Sequence, residues 1–189
     1  QVVLVSSGAI GVGVGKLGLP GRPADMPSKQ AAAAVGQCEL MYLYDKLFSE
    51  YNHTVAQVLL TGDAVEDEAR RGYVVGTFQR LLEYGCIPVV NENDTVAVEE
   101  IEFGDNDTLS ALVAVLTGAD ALVLMSDIDG LFTADPREDP GARLIPVVEK
   151  LDKGVLALGG GQGSGLGSGG RVARQPAATS GTAAGVQKA

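Results

Sequence analysis

Short, largely apolar runs that alternate with helical patterns constrain the fold of this chain more than any other feature of its sequence. The runs cover 2–5, 54–60, 87–90 and 121–125. Strands with little polar alternation are typical of the interior of a parallel sheet, where helices cover both faces. The order strand, helix, strand, helix, strand, hairpin, helix, strand therefore predicts an α/β fold with an open, mostly parallel, three-layer α/β/α sheet.

Two long helices are predicted between the first three strands. The first extends from Ser28, its predicted N-cap, to about residue 51, and the second ends at Gly85. Apolar residues recur at helical spacing in both helices: Leu40, Tyr44, Leu47 and Tyr51 in the first, and Val74, Phe78, Leu81 and Leu82 in the second. We expect an acidic loop at 61–68, a hairpin at 96–103 and a third helix at 108–117.

Two polar blocks lie where these elements meet their loops: NEND at 91–94 and GDND at 104–107. Carboxylates that a fold brings together repel one another and resist desolvation, so a cation, a cationic side chain or a polar ligand usually offsets the cost. In parallel sheets, ligands bind at the carboxyl ends of the strands. Here those ends are 6–8, 91–94 and 126–127, which favours a binding site. Two solvated turns rich in Asn and Asp are the structural alternative.

The phosphate-binding motifs in the sequence are incomplete or misplaced. The nearest approach to a Walker A loop has Ile10 at the first glycine position and Leu17 at the final hydroxyl position. The G-x-G-x-x-G pattern occurs twice, but neither copy directly follows a strand. The turn at 6–8 is a better anion site, because a helix that begins there offers free backbone N–H groups. A purely structural tight turn explains that segment equally well.

Composition narrows the function classes. The chain has 189 residues, of which 46% are hydrophobic, and a net charge of −10. It can therefore bury a real core, and its acidity argues against nucleic-acid and anionic membrane partners. Its N-terminal segment resembles neither a signal peptide nor a membrane span, so we expect a cytoplasmic protein. No metal site is predicted, since the cysteines and the single histidine lack ligand spacing.

The last part of the chain differs from the rest in amino-acid composition. Residues 159–170 are rich in glycine, and Pro176 interrupts a tail of small residues. We therefore expect a domain at 1–170 and a divergent, disordered C-terminal segment at 171–189. The sequence begins inside a strand-like run, so we also expect that the domain lacks its first strand.

Five motifs, taken in order, resemble the glutamate 5-kinase branch of the amino acid kinase family. The resemblance covers about residues 2–170, and the ordered set is far more specific than any single member. The motifs are VSSGAI at 5–10, SKQAAAAVGQ at 28–37, NENDTV at 91–96, GDNDTLSAL at 104–112 and SDIDGLFTADPR at 126–137.

The resemblance implies an activity and its partners. In that branch, ATP with Mg²⁺ donates its γ-phosphoryl group to the γ-carboxylate of L-glutamate, and γ-glutamyl phosphate starts proline biosynthesis. Such a transfer depends mostly on positioning and charge neutralisation. The resemblance also implies a homo-oligomer and feedback by proline.

The resemblance also assigns roles to individual residues. Substrate-binding residues would be Ser7, Asn91, Asp94 and Asn106. Nucleotide-binding residues would be Ser126, Asp127, Ser168, Gly169 and Gly170. Catalytic residues would be Asp107, as the organiser of two lysines, and Arg174. A helix N-cap is the structural alternative for Asp107, and one side chain can serve both purposes.

Two departures from the pattern bear on activity. The first lysine of the branch would lie upstream of Gln1, and Arg174 occupies the position of the second. Arginine keeps the charge but replaces a compact ammonium with a broad planar group. We therefore expect this chain alone to be inactive or nearly so. Two alternatives to the phosphorylation of glutamate remain. One is a non-catalytic fragment or degenerate homologue that binds substrate or partners without turnover, and the other is an enzyme that phosphorylates another carboxylate.

Overall fold

The protein forms two compact units, which meet in sequence between residues 106 and 107. A computed structural model describes residues 1–96, 106–125, 129–150, 153–158 and 187–188 of the chain. Among the described residues, the first unit holds three strands and four helices, and the second holds most of the other elements.

The first unit is built on a parallel sheet of three strands: β1 (Leu4–Val5), β2 (Val55–Leu60) and β3 (Ile87–Glu92). Its helices are α1 (Ala9–Leu17), α2 (Met26–Ser49), α3 (Gly62–Glu66) and α4 (Glu68–Glu83). The strand order in the sheet is β1-β3-β2. Helices α3 and α4 connect the adjacent parallel strands β2 and β3, which therefore form a β-α-β unit.

The second unit contains shorter elements. Helix α5 (Asn106–Thr117) begins at the last residue of the first unit, and its apolar face packs Ala111 and Ala114 against Leu122. The other elements are β4 (Ala121–Leu122), α6 (Lys153–Leu158) and β5 (Gln187–Lys188). Strands β4 and β5 pair in parallel, and an antiparallel bridge joins Phe132 to Leu144. The named strands in the described ranges thus pair in parallel, which confirms the predicted α/β class.

The core of the first unit follows from the apolar sequence of its central strand. Val89 and Val90 of β3 are fully buried, as a strand with neighbours on both sides requires. Phe78 lies on the predicted inward face of α4 and is also buried, and Gly85 follows that helix at a φ of +74°. The left-handed backbone there confirms Gly85 as the residue that ends the helical path.

Helices α1 and α2 meet at two glycines, and their backbones touch. A Cβ added at Gly13 would lie 1.8 Å from the carbonyl oxygen of Ala32. A Cβ added at Gly36 would lie equally close, at 1.8 Å, to the carbonyl oxygen of Ala9. Only glycine permits this approach, because any side chain at either position would overlap the facing backbone. At its other end α1 is joined to α2 by the ion pair of Lys16 with Glu39.

The long helix α2 starts earlier than the sequence predicts. Its N-cap is Asp25, whose side chain accepts a hydrogen bond of 2.9 Å from the backbone N–H of Ser28. The predicted N-cap, Ser28, therefore lies inside the first turn, and Pro27 occupies a position where a missing N–H costs nothing. The helix also ends earlier than the predicted residue 51: α2 ends at Ser49, so Tyr51 lies beyond it. Of the residues at the predicted apolar spacing, Leu47 and Tyr51 are exposed.

Other boundaries differ from the prediction by a few residues. Strand β3 continues through Asn91 and Glu92, β4 ends at Leu122, and the predicted acidic loop contains α3. The predicted hairpin falls almost wholly outside the described residues. Within the part of the chain that the structure describes, no helix has the length and apolar character needed to cross a membrane.

We expect Gly13→Ala to lower the free energy of unfolding by about 1–3 kcal/mol, since α1 and α2 would have to separate. Gly11 and Gly15 lie in the same helix, and a Cβ at either would meet nothing within 4 Å. The control variants Gly11→Ala and Gly15→Ala should therefore be neutral or stabilise by up to about 1 kcal/mol. Urea unfolding of the three variants checks this, and equal midpoints would contradict the close contact.

The cap of α2 predicts a pH dependence of stability. The hydrogen bond from the Ser28 N–H lowers the pKa of Asp25 below its ordinary value. A lowered pKa gives stability that is present above the unfolded-state pKa and is lost as the pH falls through the folded-state pKa. Asp25→Ala should therefore reduce Tm at pH 7, and the difference from the parent should shrink below about pH 4. Asp25→Asn keeps an acceptor oxygen and should lose less; a pH-independent difference for Asp25→Ala would contradict the assignment.

Candidate functional site

The carboxyl ends of β1 and β3 lie side by side. The backbone N–H of Ser6 donates a 2.8 Å hydrogen bond to the carbonyl of Val90, and the pairing of Val5 with Val90 places Ser6 beside Asn91. Beyond this point the chain leaves the sheet at Ser7, which is exposed. The structure thus brings two of the predicted polar segments, 6–8 and 91–94, to one edge of the parallel sheet.

The segment after β1 turns directly into α1. Gly8 is the N-cap, with a left-handed backbone at a φ of 90°, and no side chain caps this helix end. The N-terminal N–H groups of a helix carry a partial positive charge and favour an anionic group. The sequence allows two explanations of the segment 6–8, a structural tight turn and an anion site at a helix N-terminus. The geometry contains both the turn and a helix N-terminus suited to an anion.

Asn91 is the most buried of the predicted substrate-binding residues that the structure describes, at 2% exposure. Its Nδ2 donates a 2.9 Å hydrogen bond to Oε1 of Gln37, and its Oδ1 accepts one of 2.9 Å from the backbone N–H of Glu92. Both ends of the amide therefore contact protein atoms. The arrangement suits a residue that holds its loop in place, and the predicted contact with substrate stays a prediction.

Asp94 lies in a turn that is fixed to the sheet. The backbone N–H of Asn93 donates a 2.8 Å hydrogen bond to the carbonyl of Leu60, and Oγ1 of Thr95 donates one of 2.6 Å to Oδ1 of Asn93. Asp94 itself is half-buried. Since Asn91 is buried and Asp94 is half-buried, the alternative of a fully solvated turn does not describe the first polar block.

Ser6 is held from the side by helix α2. Its hydroxyl lies 2.9 Å from the hydroxyl of Tyr44, a hydrogen bond in which either group can donate, and Ser6 is 7% exposed. The ring of Tyr44 stacks on that of Phe48 at a centroid distance of 6.4 Å. The residue that precedes Ser7 is thus fixed by its backbone and by its side chain.

The second polar block leads into α5. Asn106 is the first residue of the helix and Asp107 lies in its first turn, so the structural alternative of Asp107 as an N-cap ahead of Thr108 does not hold. The carbonyl of Asp107 accepts a 2.7 Å hydrogen bond from the Ser110 hydroxyl. A carboxylate in the first turn is favourable because the helix dipole is positive there. Both Asn106 and Asp107 are half-buried.

The remaining predicted site residues lie outside the described residues, and their roles stay predictions: Ser126, Asp127, Ser168, Gly169, Gly170 and Arg174. Within the described ranges, no group of three or more His, Cys, Asp or Glu side chains has an arrangement that could hold a metal ion.

Two polar side chains at this edge have no function assigned by the sequence pattern. Gln37 closes the motif SKQAAAAVGQ, and Tyr44 belongs to the predicted apolar face of the same helix. The signal that could have revealed them is their separation of seven residues, which places both on one face of a helix. Their partners, Asn91 and Ser6, could not be inferred without the register of β1 against β3.

The profile of the amino acid kinase family matches residues 1–188. The chain belongs to the amino acid kinase family. Among curated relatives, the glutamate 5-kinase of Carboxydothermus hydrogenoformans is 55% identical over 98% of this chain and 50% of its own length. Those of Clostridium tetani and Clostridium perfringens are 52% and 50% identical over 98% of this chain, and over 70% and 71% of their own lengths. The chain thus spans about half of the first relative and 70% of the second.

Proposed function

We propose that this chain, as part of a protein like its relatives, transfers the γ-phosphoryl group of ATP to the γ-carboxylate of L-glutamate. The product would be γ-glutamyl phosphate, the first intermediate of proline biosynthesis. The observation that carries this proposal is the identity of 50–55% with proteins named glutamate 5-kinase along 98% of the chain. The polar strand ends at 6–8 and 91–94 support it, because they lie where this fold class binds ligands.

Glutamate would be held by groups of complementary chemistry. Ser7 and Asn106 can donate hydrogen bonds to carboxylates, and Asp94 can accept them from the substrate ammonium. The exposure of Ser7 next to the uncapped N-terminus of α1 supports a carboxylate contact there. The tethering of the turn around Asp94 supports its role as a fixed acceptor.

Asp107 would act as an orienting group. The acceptor carboxylate is already ionised at neutral pH, so the reaction needs no general base. A carboxylate in the first turn of α5 is instead suited to align cationic side chains around the migrating phosphoryl group. Arg174 would be one such cation.

ATP and Mg²⁺ belong to the proposal as co-substrate and metal. The nucleotide would be bound by Ser126, Asp127 and the glycine-rich segment 168–170, and Mg²⁺ would neutralise its phosphates. A cytoplasmic location, a homo-oligomeric state and feedback by proline are likewise proposed.

Two other functions are less well supported. A binding protein without turnover, or a kinase for another carboxylate, would be unexpected among relatives that share the name glutamate 5-kinase. Trapping the acyl phosphate as a hydroxamate separates these possibilities when L-glutamate, L-aspartate and N-acetyl-L-glutamate are compared. We expect product with L-glutamate alone. The proposal would be contradicted if the whole protein formed product only with another acceptor, or formed no product with any of the three.

Changes at the two ends of the substrate should weaken the use of glutamate more than that of ATP. We expect Asp94→Asn and Asn106→Ala in the whole protein each to lower kcat/KM for glutamate by the equivalent of about 2–4 kcal/mol. Asp94→Asn removes the negative charge that would face the substrate ammonium, and Asn106→Ala removes a hydrogen bond to a substrate carboxylate. The exposed Asp45 of α2 offers a control, and Asp45→Asn should leave both substrates unaffected. Steady-state kinetics with unchanged glutamate dependence in both variants would refute the assignment.

Replacing Asp107 should slow catalysis without unfolding the protein. We expect Asp107→Asn to lower kcat by roughly tenfold to a hundredfold, the scale found when a residue that orients the ligands of a metal ion is replaced. Its KM values and circular dichroism spectrum should remain near those of the parent. Loss of the helical signal, with activity falling only in proportion, would show that the carboxylate mainly stabilises α5.

A further inference from the structure

Two side chains of α2 contact the ends of both strands that carry predicted glutamate-binding residues. Oε1 of Gln37 accepts the hydrogen bond from Asn91, and the hydroxyl of Tyr44 pairs with that of Ser6. Gln37 and Tyr44 are seven residues apart, about two helical turns, and so project from the same face of α2. One helix therefore reaches both strand ends through two separate hydrogen bonds.

Both contacts are polar; the one between Gln37 and Asn91 is buried, and the one between Ser6 and Tyr44 is partly buried. Gln37 is 9% exposed, Asn91 2% and Ser6 7%, whereas Tyr44 is half-buried. A polar group at such depth costs free energy unless it has a partner, so each bond has a strong preference for its present geometry. The pairs therefore fix the orientation of the side chains at the sheet edge.

The backbone alone would hold this edge weakly. Strand β1 has only two residues, and the bond from the Ser6 N–H to the Val90 carbonyl lies at its carboxyl end. Helix α2 can hold the strand ends in place, because it is itself fixed against α1: Gly36, next to Gln37, packs against the carbonyl of Ala9. The same turn of α2 thus contacts the start of α1 and the end of β3.

We propose that Gln37 and Tyr44 are positioning residues, which set the loops 6–8 and 91–94 at the separation that glutamate binding requires. Neither residue touches the substrate in this proposal. Gln37 acts through Asn91 on the turn that contains Asp94, and Tyr44 acts through Ser6 on Ser7. The inference rests on the proposed function, because it takes these loops as the glutamate site.

Tyr44→Phe tests the proposal with the loss of one oxygen atom, while the ring and its stacking on Phe48 remain. Tyr42 lies on the same helix, 59% exposed, and Tyr42→Phe is the matched control. In the whole protein we expect Tyr44→Phe to raise KM for glutamate by about threefold to tenfold with KM for ATP unchanged, and to lower Tm slightly because the buried Ser6 hydroxyl loses its partner. Tyr42→Phe should change none of these.

Gln37→Met tests the second contact with a side chain of similar length and no acceptor for Asn91. We expect it to raise KM for glutamate at least as much as Tyr44→Phe does. In Ser6→Ala the partner of Tyr44 is already absent, so adding Tyr44→Phe should have little further effect on that KM. Equal increases in both KM values, or independent effects of Ser6→Ala and Tyr44→Phe, would overturn the positioning role.

Hydrogen exchange of the 189-residue chain gives a readout that needs no turnover. We expect faster amide exchange in peptides covering 6–8 and 92–95 for Tyr44→Phe and Gln37→Met, and parental exchange for Tyr42→Phe. Unchanged exchange at these loops would overturn the positioning role even if activity fell. Failure of the unsubstituted whole protein to phosphorylate glutamate would refute the proposed function, while the exchange result would still decide whether the two residues position the loops.

Discussion

The backbone contact between α1 and α2 is the constraint on which the first unit depends. Gly13 and Gly36 allow each helix to meet a carbonyl group of the other, and no side chain could be inserted at either position without moving a helix. Because Gly8, the N-cap of α1, lies only three residues beyond the end of β1, this contact also limits where the first strand can end. The helix that packs against α1 is the one whose side chains reach the sheet edge.

Polar groups at that edge are arranged in two tiers. The inner tier consists of Ser6, Gln37 and Asn91, which are buried and bonded to protein. The outer tier includes Ser7, which is exposed, and Asp94, which is half-buried. Burial of the inner tier is tolerable because each group has a partner, and its geometry is thereby restricted. A ligand bound by the outer tier would meet groups whose positions are already set, which reduces the ordering cost of binding.

The parallel architecture and the position of the polar segments 6–8 and 91–94 at strand ends could be predicted from the sequence, because apolar runs such as 87–90 are typical of buried parallel strands. Helix starts were less predictable. Asp25 and Ser28 are both good capping residues, and only the backbone decides between them. The burial of Asn91 could not be predicted, since its partner Gln37 lies 54 positions away. Likewise, the contact of Tyr44 with Ser6 could not be predicted, because the ring of Tyr44 also fits the apolar periodicity of α2.

Amide chemical-shift mapping tests most directly whether the edge of the β1-β3 pair binds glutamate. The ¹⁵N-labelled 189-residue chain would be titrated with L-glutamate, and with D-glutamate as the matched control. We expect saturable shifts for L-glutamate that concentrate at 6–9 and 91–95, with the exposed turn at 51–53 unaffected. No saturable shift, or shifts that avoid both loops, would contradict the assignment of this edge as the substrate site.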